Sequence, residues 1–189
     1  MGLWQLICLN VCFRQFLIGY RADRNSSPQV GNTRPQRRTL GALLLREFRS
    51  RWYVLAHMTG SGWPACFGRN HIQRLIATGR SSSPPPGFEA ATYFDGCFDI
   101  TRPTDGSRPQ KIRLRFKSVR ERYALSYPLH SSQQVVTAGN DEVDMGLTVY
   151  DTYELRMELL SCGPDVQVLV PTALREWLRM QHRAAAAGM

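Results

Sequence analysis

Short apolar runs, separated by polar turn residues, fill the first 80 residues of the chain. Each run is rich in aromatic and aliphatic side chains and has the length of a β-strand. A turn signal between two runs, Thr59-Gly60-Ser61-Gly62, predicts a hairpin. The pattern predicts five strands, at residues 13–20, 38–45, 52–58, 64–67 and 72–78. Five short strands in succession are typical of a small β-barrel.

From residue 111 the pattern changes to a mixture of strands and helices. Ile112, Leu114 and Phe116 alternate with basic residues, which predicts a half-buried strand with one basic face. Thr152 stands at the expected N-cap of a later amphipathic segment. The full prediction is a strand at 111–117, a helix at 119–126, strands at 135–137 and 143–149, a helix at 152–160, a strand at 165–170 and a helix at 171–183. The order strand, helix, strand, strand, helix, strand is ferredoxin-like.

A stretch rich in serine and proline separates the two patterns. Residues 79–87 cannot continue a central strand or a helix, and residues 88–110 are predicted to be an extended connector. The predicted fold class is therefore mixed α/β, a small β-barrel followed by a ferredoxin-like α+β domain. We predict a helix remnant or irregular start at 1–13, the barrel at 14–80, the linker at 81–110, the second domain at 111–183 and a disordered tail at 184–189.

Charge is distributed unevenly between the two patterns. Residues 1–80 contain 12 arginines, no lysine and two acids, a formal charge of +10, whereas residues 81–189 contain 12 basic and 13 acidic residues, a charge of −1. A coding bias can explain the preference for arginine over lysine, but not the scarcity of acids in the same half. Because arginine favours bidentate phosphate contacts and stacking on bases, the first half predicts a phosphate-bearing partner.

The motifs of catalytic and metal sites are missing from the sequence. The four histidines, at positions 57, 71, 130 and 182, lack metal-binding spacing, and the five cysteines form no CxxC pair. The chain has neither a GxSxG nucleophile elbow nor a glycine-rich phosphate loop. We therefore expect a non-enzymatic protein with no catalytic residue, metal or cofactor. The apolar start at residues 3–13 is too short to span a membrane and lacks a cleavage site, which favours a cytoplasmic protein without membrane contacts.

Residues 45–57, LREFRSRWYVLAH, place arginines beside an aromatic pair at the head of an apolar run. They resemble the signature of the WYL family, with Trp52, Tyr53 and Val54 where the family has Trp-Tyr-Leu. Further motifs of the family follow in order, at residues 67–72, 78–79, 88–94, 111–116, 128–133, 153–155 and 168–175. The resemblance spans roughly residues 14–180. It implies an Sm-like (SH3-type) barrel followed by a WYL C-terminal extension (WCX) domain.

The resemblance also implies that the barrel senses single-stranded nucleic acid or a nucleotide-like effector. Successive residues of a strand point to opposite faces, so Arg51 and Tyr53 share one face when Trp52 packs inwards. Arg51 is then expected to bind phosphate, and Tyr53 to stack on a base or form a hydrogen bond.

Four more residues complete the predicted site. Asn70-His71-Ile72 stands where the family has Asp-Arg-Ile, so His71 replaces the family's ligand-facing arginine. Arg69 can compensate only if the strand bulges, because it otherwise faces away from Asn70. Arg37 and Arg38 precede a strand that is expected to flank the same face. A solvated basic surface without a specific ligand is the alternative interpretation of each position.

WYL proteins commonly begin with a helix-turn-helix, and the residues ahead of Arg14 are too few to form one. We therefore expect the effector-sensing and dimerisation region of a bacterial WYL-type transcriptional regulator. It is expected to be a homodimer that does not bind duplex DNA in a sequence-specific manner. Two alternatives stay open: a stand-alone Sm-like RNA-binding module, and a pure oligomerisation unit.

Overall fold

The computed structural model of the chain describes residues 14–20, 36–58, 63–139 and 141–188. The chain divides into two compact units, Met1–Tyr93 and Phe94–Met189. The start predicted at residues 1–13 and the hairpin turn predicted at 59–62 lie outside the described residues. Within those ranges, no helix is long and apolar enough to cross a membrane.

The first unit contains one antiparallel sheet. Its strands are β1 (Arg14–Tyr20), β2 (Gln36–Phe48), β3 (Arg51–Met58), β4 (Pro64–Gly68) and β5 (Ile72–Ser81), and a 3₁₀ turn, Arg69–His71, joins β4 to β5. All five predicted strands are confirmed. The strand order is β4-β3-β2-β1-β5, so β4 and β5 are the two edges of the sheet.

The core of the first unit lies against one face of this sheet. Six buried side chains form it: Ile18, Leu40, Ala42, Val54, Ala56 and Phe67. Ala42 pairs with Ala56, but the next pair is Leu44 with Leu55, so Leu43 is an extra residue in β2. Such a β-bulge exchanges the faces of all later residues of the strand. Even-numbered residues of β2 therefore face the core before the bulge, and odd-numbered residues face it afterwards.

Residues 82–93, which follow β5, are attached to the sheet at both ends. His57 Nε2 lies 2.8 Å from Ser82 Oγ, and the hydroxyl of Tyr93 donates to the carbonyl oxygen of Pro64 at 3.5 Å. Gly41 is required at the first contact, because a Cβ at this position would collide with both Ser82 Oγ and His57 Nε2. Residues 82–93 thus form part of the first unit.

The second unit has a four-stranded antiparallel sheet with helices on one face. Its elements are β6 (Gln110–Lys117), α1 (Ser118–Ser126), β7 (Gln134–Ala138), β8 (Glu142–Val149), α2 (Tyr153–Ser161), β9 (Val166–Val170) and α3 (Thr172–Ala187). The sheet order is β7-β8-β6-β9. The predicted succession of strands and helices is confirmed. Thr152 is the N-cap residue of α2, as predicted, but its hydroxyl makes no capping hydrogen bond.

Alternation along the strands separates a core face from a polar face in the second unit. Ile112, Leu114 and Phe116 of β6 pack with Leu155 of α2 and Leu174 of α3 in one buried cluster. The residues between them on β6 are basic and point to the face without helices. The sequence predicts these two faces correctly, because in a period-two alternation the apolar residues mark the buried face.

Two parts of the second unit differ from the prediction. The extended connector predicted at 88–110 is wrong in its middle, where residues 90–96 form turns and Phe94, Cys97 and Phe98 are buried. Burial of these apolar side chains is favourable, whereas an extended connector would leave them exposed to water. The disordered tail predicted at 184–189 is also wrong in part, because α3 continues to Ala187. Alanine has the highest helix propensity, so an alanine run extends a helix.

Candidate nucleic-acid interface

The β2–β3 hairpin positions the side chains of the candidate site. Its turn consists of Arg49 and Ser50, with φ of 47° and 60°. Positive φ at both central residues is the conformation of a type I′ turn, whose twist matches that of two antiparallel strands. The tight turn fixes the register of the hairpin, so that Phe48 pairs with Arg51 and Arg46 with Tyr53.

Arg51 and Tyr53 lie on the face of the sheet opposite the core. Val54 and Ala56 belong to the core cluster, and Trp52 shares their face by strand alternation. Arg51 and Tyr53 therefore point to the other face, as the predicted site requires. Their cross-strand neighbours, Phe48 and Arg46, share that face. The result is a patch in which two arginines and two aromatic rings alternate, and we call Arg46, Phe48, Arg51 and Tyr53 the hairpin patch.

His71 comes close to this patch through Gly68. Gly68 pairs with Tyr53 across β3 and β4. A Cβ built on Gly68 would lie 2.9 Å from Asn70 Oδ1, 3.0 Å from His71 Cδ2 and 3.7 Å from Tyr53 Cε1. Three polar side chains thus converge over a residue that has no side chain. The structure places Tyr53, His71 and Asn70 around the same position.

Arg69 is exposed beside His71, but not in the way that the sequence suggested. Residues Arg69–His71 form a 3₁₀ turn and not a strand. The inference that Arg69 faces away from Asn70 unless a strand bulges is therefore wrong, because strand alternation does not apply in a 3₁₀ turn.

Arg37 and Arg38 are not part of the hairpin patch. Arg38 shares the face of Leu40 and Ala42, and its Nη1 donates to Met58 Sδ at 2.8 Å. The expectation that Arg38 flanks the face of Arg51 is therefore wrong, because the bulge at Leu43 exchanges the two faces of β2.

Arg37 points to the same face as the patch but lies near the other end of β2. It precedes Arg46 by nine residues, a separation of roughly 30 Å along a strand. Arg37 pairs with Gly19, which also pairs with Arg74 on β5. Arg37 thus has Arg74, and not Arg51, as its basic neighbour on this face.

Sequence reasoning missed Arg46, Phe48 and Asn70. A signal for the first two was present in the sequence. Once Arg49 and Ser50 are taken as a two-residue turn, the pairs Phe48–Arg51 and Arg46–Tyr53 follow by counting outwards. No comparable signal identifies Asn70, because its position depends on the 3₁₀ turn.

The electrostatics of the patch favour an anionic ligand. Glu47 is the one acidic residue in the sequences of β2 and β3, and its pairing with Trp52 puts it on the opposite face. The guanidinium of Arg49 lies 5.3 Å from the centre of the Phe48 ring, within the range of a cation–π contact. Arginine beside aromatic rings can bind a phosphate and stack a base at adjacent positions.

The described residues hold no cluster of metal-binding side chains, and one of their cysteines is a poor nucleophile. In the part of the chain that the structure describes, no three histidine, cysteine or acidic side chains cluster as metal ligands. Cys162 is a free thiol. Burial raises the pKa of the Cys162 thiol, which makes it a poor nucleophile.

Comparison with known proteins gives a family match within the second unit. Residues 108–186 match the family model of the WCX domain. Among solved structures, the chain is similar to the proteasome accessory factor B/C (PafBC) of Arthrobacter aurescens, with 19% identity, a TM-score of 0.36, and coverage of 97% of this chain and 26% of that chain. It is also similar in fold to a CRISPR Cas-related protein, with 11% identity, a TM-score of 0.52, and coverage of 97% of this chain and 49% of that chain.

This chain therefore spans about a quarter of the first of these proteins and about half of the second. No curated protein matches the sequence. The family match extends from just before β6 to the last turn of α3, and so includes the whole second sheet and its helices. Residues 108–186 are therefore similar to the WCX domain, and this similarity covers less than half of the chain.

Proposed function

We propose that this chain is the effector-sensing and dimerisation region of a bacterial, cytoplasmic WYL-type transcriptional regulator. In this proposal residues 14–80 are the WYL domain, the linker lies within residues 81–110, and the effector is single-stranded nucleic acid or a nucleotide-like molecule. The WCX domain supports the proposal, because the sequence pattern that precedes it is the one expected of its usual partner domain. The chain acts by binding and not by catalysis.

The strand orders are compatible with the two proposed folds. A sheet of order β4-β3-β2-β1-β5 becomes an Sm-like barrel when its edges, β4 and β5, approach each other. The order β7-β8-β6-β9, with the helices α1 and α2 between strands, supports the proposal of a ferredoxin-like domain.

The proposal for the effector rests on the hairpin patch. Arg51 and Arg46 bind phosphate groups, while Phe48 and Tyr53 stack on bases. Neighbours across the strands are about 5 Å apart, so one nucleotide can contact an arginine and an aromatic ring together. His71 and Asn70 contribute polar groups at the edge of the patch, beside Tyr53. Arg69 adds a further positive charge in the same 3₁₀ turn.

Preference for single strands is the first test. In a duplex the bases are stacked within the helix, so Phe48 and Tyr53 can stack only on a single strand. We expect a fluorescein-labelled single-stranded oligonucleotide to bind more tightly than a duplex of the same length, as measured by anisotropy at two salt concentrations. Equal affinity for the two forms would count against the stacking role of the patch.

Dimerisation is a separate part of the proposal and has its own measurement. Sedimentation equilibrium of the full chain is expected to give a homodimer, with or without oligonucleotide. A dimer that binds no nucleic acid would favour a pure oligomerisation unit. A monomer that binds RNA with a steep dependence on salt would favour a stand-alone RNA-binding module.

A further inference from the structure

The second unit has an unpaired strand edge beside a basic helix. β9 is the last strand of the order β7-β8-β6-β9, so only one of its edges is paired, with β6. Along the other edge, no further strand of the described chain is bonded to β9. An unpaired edge presents a row of backbone N–H and C=O groups to which another extended chain can pair.

A groove of about 420 Å³ runs along this edge. Val166 and Val168, whose side chains are buried in the core, both line it, and so does Gln167, whose exposed side chain points to the opposite face. Because three consecutive residues of β9 line the groove although their side chains alternate between the two faces, we infer that it follows the backbone edge of β9. Its volume is within the range of ordinary ligand-binding sites.

Successive turns of α3 contribute basic side chains to the wall of this groove. Arg175, Arg179 and His182 line it at positions i, i+4 and i+7, which form a single stripe on a helix. Glu176 also lines it, and its carboxylate lies 3.4 Å from Arg179 Nη1 and 3.9 Å from Arg175 Nε. Two arginines thus face one acid, and the wall is positive overall.

His182 lines the groove, and one nitrogen of its ring has no hydrogen-bond partner in the structure. Its Nε2 atom is buried and makes no hydrogen bond in the structure. A buried polar atom without a partner costs free energy, which a bound acceptor or donor would recover.

We propose that this groove binds an extended acidic segment of a partner protein, which adds to β9 as a fifth strand of the sheet. The backbone edge supplies the pairing, and Arg175, Arg179 and His182 select acidic side chains. A nucleic-acid backbone would fit less well, because it offers no row of donors to the carbonyl groups of β9. A second copy of β9 is disfavoured as well, since pairing of two such edges would bring two basic helices together.

The test uses the full chain and a fluorescein-labelled peptide of alternating glutamate and valine, long enough to pair with the five residues of β9. We expect it to bind, and Arg179→Glu to weaken binding about tenfold or more. Arg183→Glu is the matched control, because it makes the same charge change on the same helix outside the groove. Binding that both variants weaken equally would overturn the proposal, since it would show only attraction to the charged helix.

A second peptide tests the strand pairing. The same sequence with alternate N-methylated peptide groups cannot form the strand hydrogen bonds, and it is expected to bind about tenfold more weakly. Hydrogen exchange of Val166–Val170 should slow when the unmodified peptide binds. Equal affinity for the methylated peptide would overturn the proposal. So would displacement of the peptide by an oligonucleotide, or self-association of the protein that Arg179→Glu abolishes.

Discussion

Both units place arginines on one face of an antiparallel sheet, but the two faces use them differently. In the second unit, Arg115 Nε donates to Asp144 Oδ1 at 2.7 Å and its Nη2 to Oδ2 at 3.1 Å, while Arg113 Nη2 donates to Oδ2 at 3.3 Å. Asp144 is only 5% exposed. In the first unit, Arg46 and Arg51 alternate with aromatic rings, and the acid of their strands faces the other way.

The difference shows that positive charge on a sheet does not by itself indicate a binding site. The guanidinium of Arg115 holds the pKa of Asp144 below its ordinary value, and Asp144 raises the pKa of Arg115. These arginines stabilise a buried carboxylate. The arginines of the hairpin patch have a stacking surface beside them, which is what a nucleotide requires.

The largest effect is expected from removal of Asp144. Asp144→Ala leaves Arg115 and Arg113 without their shared acceptor and should lower the free energy of unfolding by about 2–3 kcal/mol. Thermal unfolding followed by circular dichroism measures the change. Asp105→Ala, a substitution in an exposed loop, is the control and should change stability little. If the two variants were equally stable, the ion pair would not be structural.

Gly68→Ala should weaken oligonucleotide binding without removing a charge. The new Cβ would lie 2.9 Å from Asn70 Oδ1 and 3.0 Å from His71 Cδ2, so both side chains must move. We expect a loss of about 1 kcal/mol in binding free energy, comparable to one displaced hydrogen bond. Gly146→Ala in the second unit is the control, because its Cβ would meet Val136 at an ordinary 3.5 Å. Unchanged binding by Gly68→Ala would remove Asn70 and His71 from the site.

The hairpin turn offers a stabilising change of similar or smaller size. Arg49 and Ser50 adopt positive φ, which costs a residue other than glycine or asparagine about 1 kcal/mol. Replacing them with Asn-Gly should raise the unfolding free energy of the first unit by about 1 kcal/mol. Chemical denaturation provides the measurement. A lower stability would show that the cation–π contact of Arg49 with Phe48 outweighs the backbone strain.

A smaller effect on the free energy of unfolding is expected when the pH is lowered. Because the folded-state pKa of Asp144 is lowered, its stabilising contribution is present above the unfolded-state pKa and is lost as the pH falls through the folded-state value. The window lies below about pH 4. The range from pH 5 to pH 2, about three units, brackets this window. Over that range, the free energy of unfolding of the second unit should fall less in Asp144→Asn than in the parent protein. Parallel curves for the two proteins would contradict this assignment.

The sequence predicted strands and helices well where alternation of apolar residues or turn residues marks them directly. All β-strands and α-helices of the described chain were predicted, because Ile112, Leu114 and Phe116, for example, mark a buried face by their period. The bulge at Leu43 has no such signal, and it alone moves Arg38 to the core face. Likewise, the 3₁₀ turn at Arg69–His71 depends on tertiary context and decides which side chains meet over Gly68.

The most direct test compares one arginine from each sheet. Arg51→Ala and Arg113→Ala remove the same side chain from the two basic faces, and each protein is titrated into a fluorescein-labelled single-stranded oligonucleotide. We expect Arg51→Ala to weaken binding by about 1–3 kcal/mol, the size of a charge-assisted contact, and Arg113→Ala to leave it unchanged. Equal losses from the two variants would contradict this prediction, because binding would then depend on net charge and not on the hairpin patch.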